Sequence, residues 1–437
     1  MSRPLYLDTA RLGLMTPSAQ QTQHDFAQLA GDPHGLLYFR EFLQAGVSAW
    51  PNCLQQRYPR LKLWRGTQGI KHDLRKLCGA EASTKVLLSS RSATLWDLAS
   101  RGLARQCRRI LTVDLLWSPY RRLLVEGCRN EQSQLCVCRL RDAALQGGSD
   151  SQKLGAHIVR SYLQQRCDGL ALPLVSHHGI RLPIEAIQRE LHLAGASPIV
   201  SIVDGSQAVG HISVNMRSLQ CDAFVAGTHK WIGSGMPLGV GLLAGHMLSD
   251  KRVQPFCTDP ILRITQELCG GVPIRHGETA TIAPLLAAAG ALEDLRRRPL
   301  AMRQNVLARN RRLLQSLISE SPGACSLAHT ESTPGILLSR CRISHLSGLR
   351  SRLLQEKVIV STYNSGLVRW SMPFLPFSDS QLESLSRVFA MKPTRLTRFH
   401  PLLSKLAHPR PTAVSTRTRV IDATRLTRVS PNSATSI

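Results

Sequence analysis

Two short apolar runs, each closed by ionisable residues, constrain this chain more than any other feature. The first is Pro198-Ile-Val-Ser-Ile-Val-Asp204, followed by Gly-Ser-Gln207-Ala-Val-Gly-His211. The second is Asp222-Ala-Phe-Val-Ala-Gly227, followed by Thr228-His229-Lys230-Trp231. Both have the length and apolar character of strands buried on both faces of a parallel sheet. In open α/β sheets, ligands bind beyond the carboxyl ends of the strands. Asp204 and Lys230 are therefore expected on one edge of one sheet, where both reach a common ligand.

The residue types suggest which ligand. A buried carboxylate is costly unless paired, and a protonated aromatic nitrogen would be such a partner for Asp204. A partly desolvated lysine beside that cation favours the amine over the ammonium, as attack on a carbonyl requires. The pattern predicts a carbonyl cofactor held as a Schiff base on Lys230 and anchored by Asp204. Taken singly, an Asp at a strand end is more often a turn residue or cap, and a lone Lys more often a solvated charge. The combination and its spacing decide the matter.

Four further segments fit the same picture. Leu87-Leu-Ser-Ser-Arg91-Ser92-Ala93-Thr94 reads as a strand running into a helix, a junction whose free N–H groups bind anions. Ile110-Leu-Thr-Val-Asp114-Leu-Leu-Trp117 leads to an exposed aromatic able to stack on a flat ring, though alone it reads equally well as a core Trp. Leu174-Val-Ser176-His177-His178-Gly179 follows another strand; neighbouring strand side chains point to opposite faces, so the two histidines make no metal set. Gly366-Leu-Val-Arg369 reads as a strand carrying an arginine, whose planar fork suits a carboxylate.

Together these segments resemble the class V aminotransferase family, fold-type I pyridoxal-phosphate enzymes that include cysteine desulfurases and isopenicillin N epimerase-like proteins. The resemblance covers roughly residues 5 to 390, with Asp8, Ala10 and Gly13 at familiar places in the opening strand and turn. It implies pyridoxal 5'-phosphate as cofactor. Asp204 would pair with the pyridine nitrogen, Gln207 would hydrogen-bond the ring hydroxyl, and Lys230 would be the Schiff-base lysine and proton shuttle. Thr228 and His229 would lie at the cofactor, His229 on its phosphate side. Ser92, Ala93 and Thr94 would cradle the phosphate, although the family commonly has a hydroxyl residue where Ala93 stands. Trp117 takes the place of a stacking His, and Ser176 that of an Asn. Thr279, before an Ala/Leu-rich helix from Ile282 to Leu295, matches the Thr that binds the phosphate of the neighbouring subunit, but Glu278 replaces the family's Gly. Arg369 would grip the substrate carboxylate.

The resemblance also implies a homodimer acting on a small-molecule amino acid, with amino-group transfer as the first expectation. The alternatives are an epimerase, a C–S or elimination lyase, and a non-catalytic protein of this fold that binds an acidic partner. In cysteine desulfurases a nucleophilic Cys lies on a loop shortly before the Arg. Here that loop, Ser361-Thr-Tyr-Asn-Ser-Gly366, is short and has none, while Cys341 reads as a strand residue. Persulfide chemistry needs an accessible thiolate and is disfavoured.

The rest of the chain sets the frame. At 437 residues it should form two packed units. Seven strand-like stretches, after Lys85, Arg108, Gln134, Gly169, Pro198, Asp222 and Val240, mostly alternate with helical patterns. They predict an α/β fold: a mainly parallel seven-stranded sheet with helices on both faces, plus a smaller C-terminal α/β domain. The expected organisation is an N-terminal segment 1–20, a large domain 21–295, a small domain 296–390 and a basic tail 391–437. A helix from about Leu295 would lead into the small domain, with strand Gly335–Cys341, helix His345–Glu356, strands Val358–Thr362 and Leu367–Ser371, and helix Ser378–Met391.

Net charge is +26, and after Ala390 nine Lys/Arg face only Asp422. That tail, rich in Thr, Ser and Pro, reads as disordered. Such segments can hold nucleic acid or anionic membranes electrostatically, but a solvated tail without a partner is the simpler reading. No stretch approaches the roughly 18 uninterrupted apolar residues of a membrane helix, and the start has no apolar signal-peptide core. The 12 cysteines are scattered without a CxxC pair. They read as reduced, packed thiols of a cytoplasmic protein.

Overall fold

Strand order decides where the site lies. The computed structural model describes residues 4–145, 150–248, 258–270, 280–320, 325–327 and 333–389. The strands are β1 Leu5–Tyr6, β2 Lys85–Ser89, β3 Arg109–Val113, β4 Gln134–Cys138, β5 Gly169–Pro173, β6 Val200–Asp204, β7 Ala223–Gly227, β8 Gly239–Leu243, β9 Cys325–Leu327, β10 Ile336–Cys341, β11 Val358–Ile359, β12 Ser361–Thr362 and β13 Leu367–Ser371.

The large sheet has seven strands in the order β2-β8-β7-β6-β5-β3-β4. All its pairings are parallel except those of β8, which runs against both β2 and β7. Parallel neighbours need a long crossover, whereas antiparallel ones accept a short link. Only a turn segment separates β7 from β8, so β8 returns against its neighbour. The sequence pattern gives the seven strands but not this reversal. Alternate residues feed two cores, one on each face. Val203, Phe224 and Val240 pack into one, and Ile202, Val225 and Leu243 into the other. Strands β5, β6 and β7 are buried along their whole length, which accounts for their mostly apolar character.

A second, antiparallel sheet runs β12-β13-β10-β9. The predicted strand Val358–Thr362 divides into β11, which pairs with β1, and β12, which pairs with β13. The helix expected from about Leu295 starts at Leu300, because Pro299 ends the preceding helix Ala283–Arg297 and begins a new one. Short β9 carries no apolar periodicity and was not foreseen. The described residues pack as one compact unit. Thr279, Glu278 and the basic tail lie outside the described residues. Among the described residues, no helix is long and apolar enough to cross a membrane, and nine cysteines are free, all but Cys53 buried.

The N-terminal segment is the clasp of this architecture. Leu7 N donates to Ile359 O at 2.8 Å, and Ser371 N donates to Leu7 O at 2.7 Å, which fastens the segment to β11 and β13. A few residues on, Gly13 N donates to His229 O at 2.7 Å. A Cβ on Gly13 would overlap the Lys230 carbonyl oxygen. Backbone on backbone leaves no flexible side chain to give way, so Gly13→Ala is expected to cost about 1–3 kcal/mol. Chemical denaturation of the two proteins would measure this; equal midpoints would show that the segment is not seated there.

Candidate active site

β6 ends on Asp204 and β7 on Gly227, with Asp204 opposite Val225 in the register. The last residue of one strand and the Thr228-His229-Lys230 turn after the other therefore meet at one sheet edge. Asp204 is 5% exposed. Its Oδ1 accepts from Ser206 N at 2.8 Å. Desolvation raises its pKa, opposed by hydrogen bonding from the Ser206 side chain, by the charge of Lys230 and by the Ser206 backbone N–H. Desolvation brings Lys230 down to about 8, with Asp204 pulling it up and Arg369 pushing it further down. Lys230 keeps a partial opening to solvent.

The turn that presents Lys230 is tightly held. Thr228 is buried, with its hydroxyl 2.9 Å from that of Ser234. His229 has a buried Nδ1 without a partner, and burial lowers its pKa to about 4. Behind the turn, Trp231 stacks on His211 at 3.8 Å and 12°. His211 Nε2 accepts from Gly335 N at 2.9 Å, so its other nitrogen, Nδ1, carries the proton and donates to Gln207 O at 2.8 Å. The Gln207 side chain is engaged at both ends: Nε2 donates to Ala10 O at 2.8 Å, and Oε1 accepts from Trp231 Nε1 at 2.7 Å. One amide hydrogen of Gln207 remains.

At the neighbouring corner, the helix Ser92–Gln106 starts without a side-chain cap; Thr94 N turns back to Arg91 O at 3.1 Å, which leaves the N–H groups of Ser92 and Ala93 open. The Tyr120 hydroxyl donates to Ser92 Oγ at 2.7 Å and lies 3.4 Å from Ser206 Oγ. Tyr120 thus ties the helix start to the Asp204 turn. The sequence reading missed it; the only signal was a second aromatic three residues past Trp117. Its ring stacks on Trp96 at 4.7 Å, while Trp117, 45% exposed, meets it edge-on at 5.1 Å.

Ser176, His177 and His178 correct an expectation. They lie in a turn after β5 rather than on a strand, so the two imidazoles do not point to opposite faces. Their centroids are 3.8 Å apart. Ser176 Oγ accepts from His178 N at 3.3 Å and Ile180 N at 3.2 Å. Burial and the charges of Arg141 and Arg369 keep both rings neutral, and the neighbouring His178 lowers His177 further: His177 falls to about 2 and His178 to about 4. Nδ1 of each is buried without a partner. Arg369, on β13, donates from Nη1 to His177 O at 3.2 Å. The structure thus brings Asp204, Gln207, Lys230, Ser92 and Tyr120 into one linked neighbourhood and ties Ser176 through His177 to Arg369; of Thr279 it says nothing.

The tight Tyr363–Gly366 turn joins β12 to β13, closed by Tyr363 N to Leu367 O at 2.8 Å and Gly366 N to Tyr363 O at 3.0 Å. It leaves no room for a projecting loop. Cys341, the nearest cysteine before it in the described chain, is buried in β10.

Comparison with known proteins fits this geometry. The family model for class V aminotransferases matches residues 142–366, just over half of the chain. A probable cysteine desulfurase of Vibrio cholerae is 34% identical over 94 residues, 21% of this chain and 22% of that protein. An isopenicillin N epimerase of Amycolatopsis lactamdurans is 33% identical over 78 residues, 18% of each. These matches span only about a fifth of the relatives' length. Among solved structures, the cystine C–S lyase C-DES in complex with its product cysteine persulfide superposes with a TM-score of 0.65 at 14% identity, covering 90% of this chain and 99% of that one. A ureidoglycine–glyoxylate aminotransferase from Bacillus subtilis gives 0.60 at 12% identity, covering 89% and 94%. At that identity the superpositions establish the fold-type I architecture. The chain belongs to the class V aminotransferase family, whose cofactor is pyridoxal 5'-phosphate.

Proposed function

We propose that this protein is a pyridoxal-phosphate-dependent enzyme that transfers the amino group of an amino acid, with Lys230 as its catalytic base. One observation carries the reading: a buried carboxylate and a lysine with depressed pKa share the carboxyl edge of two adjacent parallel strands. The donor set fits the cofactor. Asp204 accepts from Ser206 and keeps spare acceptor capacity for a protonated ring nitrogen. The uncapped start of Ser92–Gln106 offers N–H groups and the Thr94 hydroxyl to a phosphate, and Ala93 contributes backbone only. Gln207 retains one N–H, and Ser176 its hydroxyl proton, for a ring hydroxyl. Trp117 has an exposed face for stacking, and Thr228 and His229 wall the phosphate side.

Bound there, pyridoxal phosphate supplies an aldehyde for the substrate amine and an electron-withdrawing ring. The chain's residues do the rest. Arg369 receives the substrate carboxylate and sets which face of Cα is presented. Lys230 Nζ, with a pKa near 8, takes the α-proton and returns it. Asp204 keeps the ring nitrogen protonated. We read the active form as a cytoplasmic homodimer, with Thr279 of a second copy reaching the phosphate, and residues 21–295 and 296–390 as its large and small domains.

Lyase chemistry is the second reading, favoured by the desulfurase relatives and by an elimination needing no thiol nucleophile. Holoprotein incubated with a panel of amino acids would separate the two. Pyridoxamine phosphate together with a keto acid supports transamination. Free ammonia with a keto acid moves the assignment to elimination, and racemised substrate moves it to epimerisation. Protein that stays colourless with pyridoxal phosphate refutes the enzyme reading and leaves a non-catalytic binding protein.

A further inference from the structure

Arg369 already holds a carboxylate, and it is the chain's own. Arg369 is 6% exposed. Nη2 donates to Asp8 Oδ1 at 3.0 Å and to Ser361 Oγ at 3.1 Å. Ser361 Oγ donates in turn to the same Asp8 oxygen at 2.7 Å. Nη1 donates to His177 O at 3.2 Å, while Nε is buried without a partner. Asp8 is 3% exposed, so the pair is dry.

The guanidinium geometry makes this consequential. A carboxylate binds arginine on two prongs, through Nε with Nη2 or through Nη1 with Nη2. Nη2 belongs to both edges, and each of its two protons has a protein partner. A second carboxylate therefore finds no complete edge: Nε and the second Nη1 proton are open, but each edge also needs Nη2, beside a negative charge that already neutralises the arginine. Like charges set side by side in a buried site repel one another with little solvent to screen them.

We propose that Asp8 is a specificity-determining residue that occupies the carboxylate place on Arg369, and that a substrate carboxylate binds by displacing it from Nη2. This rests on the reading of Arg369 as the substrate-carboxylate residue of a pyridoxal-phosphate site. The displaced group belongs to the segment that runs on to Gly13, against the Lys230 turn. Carboxylate recognition and the setting of the catalytic lysine therefore share one strand of chain. Substrates with a carboxylate bind more weakly than Arg369 alone would allow.

The test uses holoprotein and two probes that carry the same amine: glycine, with a carboxylate, and methylamine, without one. Each is titrated against the cofactor absorption of wild type, Asp8→Asn and Ser361→Ala. Asn keeps the shape and an acceptor oxygen but not the charge. The apparent Kd for glycine should fall about tenfold in Asp8→Asn, with methylamine unchanged. Ser361→Ala, which frees one proton of Nη2 and loosens Asp8, should shift glycine the same way by less, and it decides the matter if Asp8→Asn does not fold. Glycine binding that is unchanged or weaker in these variants overturns the inference alone, since Asp8 would then only position Arg369. A wild-type spectrum that answers to neither probe overturns the enzyme reading, and this inference with it.

Discussion

Lys230→Ala protein should fold, lose the yellow absorption of bound pyridoxal phosphate, and lose turnover. Folding survives because Lys230 Nζ makes no hydrogen bond within the described chain, and desolvation makes its charge a cost. Turnover falls because no other group at the site combines basicity near neutrality with this position; His177, His178 and His229 are all held neutral far below pH 7. Loss of the proton-transfer role alone is worth roughly 10²–10⁴-fold in rate. The pH dependence has a definite sign. The folded pKa of Lys230 lies near 8, below the ordinary 10.5. The unfolded chain therefore binds more protons between those values, and stability of the cofactor-free protein rises with pH across that window. Lys230→Ala should abolish that part of the rise. Thermal melts of both proteins from pH 7 to pH 10 would measure it, and parallel profiles would contradict the buried-lysine assignment.

The second large effect is at Asp204. Asp204→Asn should weaken pyridoxal phosphate by roughly a hundredfold, about 3 kcal/mol, because the ring nitrogen loses its buried counter-charge. The same substitution should stabilise the cofactor-free protein near pH 7. Desolvation raises the folded pKa of Asp204 above 3.8. Its favourable contribution is therefore complete below the unfolded pKa and lost as pH rises through the folded one, so the ionised carboxylate is a net cost at neutrality. The variant's advantage should shrink as pH falls toward 4. Calorimetric titration with pyridoxal phosphate and melts of the cofactor-free proteins report the two effects separately. A variant that binds the cofactor as wild type does, or melts lower without it, contradicts this role. Stability given up at a functional site in this way is common.

The sheet and the Asp204–Lys230 pairing were legible because each rests on short local signals. β5, β6 and β7 are buried at every position and mostly apolar, and in parallel sheets such strands line up their carboxyl ends. Chain direction was less legible. β8 reads as apolar as its neighbours, and only the short link from β7 reverses it. Side-chain partners across long separations were not legible at all. Nothing near Arg369 signals that Asp8 lies on its Nη2, or that Gly335 seals His211. Gln207 was expected to serve a ring hydroxyl, but Ala10 and Trp231 take most of its capacity. The histidine pair went wrong because a strand was assumed to run through a turn whose only local sign was Gly179, which adopts a φ of 87°. Tyr120 was passed over because a buried tyrosine in a helix reads as core until its hydroxyl is seen to join Ser92 and Ser206.

The central claim is chemical attachment at one nitrogen. Holoprotein treated with borohydride, digested and mapped by mass spectrometry should carry the phosphopyridoxyl group on the peptide containing Lys230, and on no other lysine. Label on a different lysine, or a fully coloured protein whose Lys230 peptide stays unmodified, would contradict the account.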